Sequence, residues 1–232
     1  MLVQRACGVA LATAVAAASA HGSYFEGFES GLSGLSGNGA PPGYAVALSS
    51  GEWYVLNNSS PIGSLGVFEG NTSVFPAFQG TGYAGMNFNN GAGLANLQTY
   101  FMAPEVLLEN GAVFSFYTRT VDVAFFPDRL RVVMSTNGAS VNASDFSTVL
   151  LTVNQNLTTS GYPSVWTQFS VTLSGLSSPV AGRLAFLYDV PNGGPSGSNS
   201  DYIGIDNVSY VPAPGAIALL GLAGLAGRRR RG

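Results

Sequence analysis

The chain has 232 residues, room for one substantial domain with short extensions, and only 9% of them are charged, with 31 Gly and no Lys. Five of the nine Arg sit at the extreme ends, so in the body 12 acids face Arg119, Arg129, Arg131 and Arg183, a net charge of −8 that argues against nucleic acid as a partner. The single Cys, Cys7, lies in the N-terminal apolar run and the single His is His21, which excludes an internal disulfide, a Cys-based zinc site and a His-dependent triad.

At the N-terminus, Arg5 precedes the apolar run Ala6–Ala18, and Ala18 and Ala20 are the small residues at −3 and −1 that a signal peptidase requires. Residues 1–20 therefore read as a secretory signal peptide cut before His21. An uncleaved anchor helix is the alternative.

Residues 21–210 form the expected domain. After a Gly/Ser/Pro-rich stretch, Gly31–Gly43, that reads as a loop, weak strand patterns occur at Glu52–Leu56, Val74–Phe78, Tyr83–Phe88 and Leu97–Met102. Clear alternation follows at Val113–Arg119, Arg129–Ser135, Ser147–Val153, Thr167–Leu173, Arg183–Asp189 and Tyr202–Tyr210. In Arg129–Ser135, Leu130, Val132 and Met134 point one way, and Arg129, Arg131 and Val133 the other. Gly, Asn and Pro clusters separate the strands and no helix intervenes, so a parallel sheet with crossover helices is excluded. The packing that remains is an all-β, antiparallel β-sandwich of jelly-roll type.

Residues 211–232 form a tripartite tail: Val211-Pro212-Ala213-Pro214, then the uncharged run 215–227, then Arg228, Arg229, Arg230 and Arg231. As a helix, those 13 residues span about 20 Å against a hydrocarbon core near 30 Å, a marginal transmembrane length. The four arginines hold that end in the cytoplasm while the body stays outside. This layout resembles the PEP-CTERM sorting signal of Gram-negative bacteria, whose processing enzyme is an exosortase. The family usually carries Glu where this chain has Ala213. The resemblance implies transient inner-membrane anchoring, cutting at the motif, and a secreted, extracellular or cell-surface destination. A plain C-terminal anchor is the alternative.

The body carries a second resemblance, in Phe25–Gly31, Met86–Phe88, Pro104-Glu105, Phe114–Phe116 with Arg119, Pro127–Leu130, Ser135–Gly138, Trp166–Phe169, Gly182–Phe186 and Asp201–Val208. Taken in order and spacing, these are similar to the choice-of-anchor J domain. That likeness implies a jelly-roll module related in shape to MAM and carbohydrate-binding modules, and it implies no known enzymatic activity.

Three chemistries are open to the body. If the first and last strands are neighbours, Glu29 could approach Asp201 or Asp206 and form an oxygen cage for a structural Ca²⁺; otherwise Asp206-Asn207 shapes a bend and Glu29 is solvated. Trp53, Tyr54, Tyr162 and Trp166 are candidates for stacking on sugars, or else core filler. A carboxylate pair on a concave face would make a glycoside hydrolase or lyase. The leading expectation is a secreted, non-enzymatic protein of the surface or the exopolysaccharide matrix, with signal peptidase and an exosortase-type enzyme as processing partners. A lectin-like module that holds extracellular polysaccharide is the alternative.

Overall fold

The computed structural model describes residues 22–29, 54–57, 60–62, 67–70 and 72–214. The described strands are β1 (Tyr24–Glu26), β2 (Tyr54–Asn57), β3 (Ser60–Ile62), β4 (Phe68–Gly70), β5 (Tyr83–Asn87), β6 (Gly91–Met102), β7 (Val106–Leu108), β8 (Val113–Thr120), β9 (Leu130–Ser135), β10 (Thr148–Val153), β11 (Thr167–Thr172), β12 (Val180–Gly193) and β13 (Tyr202–Val211). They build two sheets, both wholly antiparallel in the described pairings. One runs β11-β8-β13-β5-β4 with β1 also on β13; the other runs β10-β9-β12-β6-β2, with β3 on β6 and β7 on β12. The antiparallel sandwich expected from the alternation is the observed fold. Among the described residues the helical elements between strands are two 3-10 turns, and no helix is long and apolar enough to cross a membrane.

The core lies where the inner faces of the sheets meet. Phe114 and Phe116 of β8 pack on Phe186 of β12 at ring separations of 5.5 and 4.8 Å, and Phe186 also meets Phe101 of β6 at 6.2 Å. Leu130, Val132 and Met134 join this core from β9. Val133, on the opposite face, is equally buried, because a second small cluster covers the outside of the seven-stranded sheet. Phe146 lies there on Tyr100, Met102, Val133, Ala185 and Leu187. The turn that carries it is held by Asp145, whose Oδ2 accepts from Asn137 Nδ2 (2.8 Å) and Ser140 Oγ (2.5 Å).

The outer face of the six-stranded sheet is covered as well. The stretch Val74–Phe78, expected as a weak strand, is a strap with no ladder partner: Pro76 has no N–H to donate, and Phe75 and Phe78 pack down onto the sheet. Phe75 is buried among Tyr83, Trp166 and Tyr202, with the Arg119 guanidinium 4.3 Å from its ring centre. Phe78 stacks on Tyr117 at 3.8 Å. Gly204 makes this possible, since a Cβ there would lie within 3 Å of Trp166, Phe75 and Tyr83.

Candidate functional site

The first and last described strands are neighbours: Tyr24, Phe25 and Glu26 of β1 face Tyr210, Ser209 and Val208 of β13. That pairing brings Glu29 and Asp206 to the same strap. Asp206 Oδ2 accepts from the backbone N–H groups of Phe78 (2.9 Å) and Gln79 (3.2 Å), and its Oδ1 from Asn207 N–H (2.7 Å). Glu29 Oε2 accepts from both the N–H and the hydroxyl of Thr81, at 2.8 and 2.9 Å. Burial raises the Asp206 pKa to about 6 against the lowering effect of these bonds, and the nearby Glu29 charge adds to the rise. Both carboxylates lie at this strap, and their oxygens accept from the N–H groups of Phe78, Gln79 and Thr81. Asp201 lies elsewhere, at the cleft described below. Among the described residues no three His, Cys, Asp or Glu side chains converge as a metal-ligand group.

The sugar-stacking candidates are dispersed. Tyr162 is 4% exposed, its hydroxyl 2.7 Å from Thr118 Oγ1, so its ring belongs to the core and offers no face to a ligand. Trp166 is half-buried, edge-on to Phe75 and Tyr83, with its indole N–H donating to Pro76 O (3.0 Å). It works as a second clamp on the strap. Tyr54 opens β2 opposite Met102. Trp53 lies outside the described residues, as do Ala18, Ala20, His21 and the tail arginines Arg228–Arg231.

The described part of the C-terminal motif leaves directly from the sandwich. Val211 is the last residue of β13, opposite Val113 of β8, and the Ala213 N–H donates to Glu109 Oε1 at 3.0 Å. Pro212 and Ala213 are half-buried and Pro214 is exposed.

The residues that do assemble into a concave site come from three loops at one end of the sandwich. Phe88 follows β5, Phe125 and Phe126 lie between β8 and β9, and Gly194, Ser200 and Asp201 lie between β12 and β13; together they line a cleft of about 330 Å³. That size is at the lower end for small-molecule sites. The three rings are 37%, 75% and 45% exposed.

A buried carboxylate holds these loops in register. Asp128 Oδ1 accepts from Tyr188 Oη (2.5 Å) and from Asp201 N–H (2.9 Å), while its Oδ2 accepts from Thr120 Oγ1 (2.9 Å). Ser200 N–H donates to Pro127 O (2.9 Å), Asn154 Nδ2 to Asp128 O (2.8 Å) and Phe88 N–H to Asp201 O (3.2 Å). Each wall of the cleft is thus stapled to the 200–201 segment. Burial raises the Asp128 pKa to about 6, opposed by its three hydrogen bonds and assisted by the Asp201 charge. Partial burial also raises Asp201, opposed by a bond from the Phe125 N–H. The sequence reading passed over this group, although the adjacent pair Phe125-Phe126 in a stretch without alternation, ahead of Pro127-Asp128, is a visible signal.

No family model and no curated protein matches the chain. Solved structures do resemble it in fold. The K1 cleaved adhesin domain of Lys-gingipain from Porphyromonas gingivalis superimposes with a TM-score of 0.55 at 20% identity, covering 82% of this chain and 98% of that one. The K2 cleaved adhesin domain of Lys-gingipain gives 0.51 at 22% identity over 82% and 99%, and the K3 domain from P. gingivalis gives 0.51 at 17% over 81% and 97%. At these identities the likeness is one of fold.

Proposed function

We propose that this protein is a non-catalytic β-sandwich of a Gram-negative bacterium, exported through residues 1–20 and cut within 211–214 by an exosortase-type enzyme. Its destination is the cell surface or the exopolysaccharide matrix. The observation that carries the reading is where the motif sits: β13 ends at Val211, and a cut after Val211 leaves every described strand intact. The cargo can be released from a membrane tether with its fold unchanged. Five described carboxylates are engaged structurally: Asp206, Glu29, Asp128 and Asp145 each hold a loop, and Asp189 pairs with Arg129 and Arg131.

Replacing Pro212 and Pro214 together by Ala tests the sorting step in the native host. The precursor is expected to accumulate in the inner-membrane fraction. Undiminished release of trimmed protein would contradict the role given to this motif.

Within that frame the lectin-like reading is favoured over a purely structural one by the loop-end cleft, an aromatic concavity of ligand size on a fold shared with domains described as adhesins.

A further inference from the structure

The cleft between the β5–β6, β8–β9 and β12–β13 loops has a lining that specifies its ligand chemistry. We propose that it binds an uncharged saccharide, with Phe125, Phe126 and Phe88 packing on the apolar faces of the sugar and the Asp201 carboxylate accepting from its hydroxyls. The proposal deepens the lectin-like reading and depends on the protein being a binding module; it does not depend on how the protein is exported or trimmed.

The lining weighs against apolar and anionic ligands in turn, and a cation is set against the neutral sugar in the test below. A wholly apolar ligand would desolvate the Asp201 carboxylate and add no donor to the bond it accepts from the Phe125 N–H, and burying a charge without further partners is costly. An anionic ligand, such as a polyuronate, would meet Asp201 and the Asp128 carboxylate beneath it. Among the described residues no Lys or Arg lines the cleft, and the body's net charge is −8. A sugar without charge satisfies both surfaces, because its C–H face is apolar and its rim is a ring of hydroxyl donors.

The site is also preformed. The segment carrying Phe125 and Phe126 is fixed at its C-terminal side by the Asp128 bonds to Thr120, Tyr188 and Asp201, and the Phe125 N–H donates to the Asp201 carboxylate. A loop backbone held in this way needs little reordering when a ligand covers it. Asp128 is a positioning residue here, its carboxylate spent on protein donors. Phe125 and Asp201 are the residues that would touch the ligand.

The test is binding of the full chain to an array holding neutral oligosaccharides (glucans, galactans, mannans and xylans) beside alginate, polygalacturonate and a choline-bearing surface, with Phe125→Ala and Asp201→Asn variants. At least one neutral glycan is expected to bind, and each variant should weaken it at least tenfold. Phe125 is 75% exposed, so its truncation should leave the melting temperature close to that of the parent protein. No binding to any neutral glycan would overturn the proposal, as would preference for the polyuronates or choline, or binding that ignores both variants. None of these failures affects the sorting reading, which is measured by the mass of the exported chain.

Discussion

The Asp206 carboxylate, at the bulge of the last long strand, accepts a 2.9 Å hydrogen bond from the backbone N–H of Phe78, 128 residues earlier in the chain. With the adjacent bond from Gln79, it pins a strap whose Phe75 and Phe78 seal the outside of the six-stranded sheet. Asp206→Asn keeps one acceptor and sets an NH₂ group against an N–H. The expected loss is about 1–3 kcal/mol, read by urea denaturation, together with a shift in Trp166 fluorescence as the indole's contact with Pro76 loosens. Unchanged stability would mean that the strap is held by its aromatic rings alone.

Asp128 and Asp206 both titrate at about 6 in the folded protein, above the 3.8 of an unburied Asp. Between those values the folded state binds more protons than the unfolded state, so these two groups make stability fall as pH rises from about 4 to about 6 and level off above. Asp145, lowered by its bonds to Ser140 and Asn137, acts in the opposite direction and at lower pH. Chemical denaturation at pH 4.5, 5.5, 6.5 and 7.5 should show the decline. In Asp128→Asn it should shrink, and a profile identical to the parent's would remove Asp128 as a source.

Gly204→Ala tests the close approach beneath the strap. The new methyl would lie within 3 Å of Trp166, Phe75 and Tyr83, and overpacking of this kind costs about 1–3 kcal/mol. The strap should open before the core melts, seen as earlier proteolysis within 72–82 while the main thermal transition shifts less.

Phe186→Ala addresses the centre of the sandwich. Phe186 is fully buried, meets Phe114 and Phe116 across the sheet interface, and lies beside its strand partner Phe101. Truncation should destabilise by about 3–5 kcal/mol. Phe125→Ala, at the cleft, should change stability by only a few tenths of that, and the contrast separates rings that hold the fold from rings that face outward.

Much of the sandwich was legible because long strands advertise themselves: the alternation at 129–135 assigned Leu130, Val132 and Met134 to the core, where they are. The same pattern assigned Val133 to the opposite face but could not say that this face is covered, because its cover comes from Phe146. Strands β1, β3, β4 and β7 have three residues each, too few for a period of two to register. Val74–Phe78 was misread since apolar residues that pack as a strap look like those of a strand. The first and last described strands are neighbours as the jelly-roll expectation requires, and Glu29 and Asp206 each bond N–H groups of the strap. The cleft was not, because Phe88, Phe125 and Asp201 come together only through sheet topology.

The most direct measurement is the intact mass of the protein recovered from outside the native cell. The account predicts a chain that begins at His21 and ends within Val211–Pro214. A secreted chain that retains Arg228–Arg231, or a protein confined to the cytosol, would contradict it.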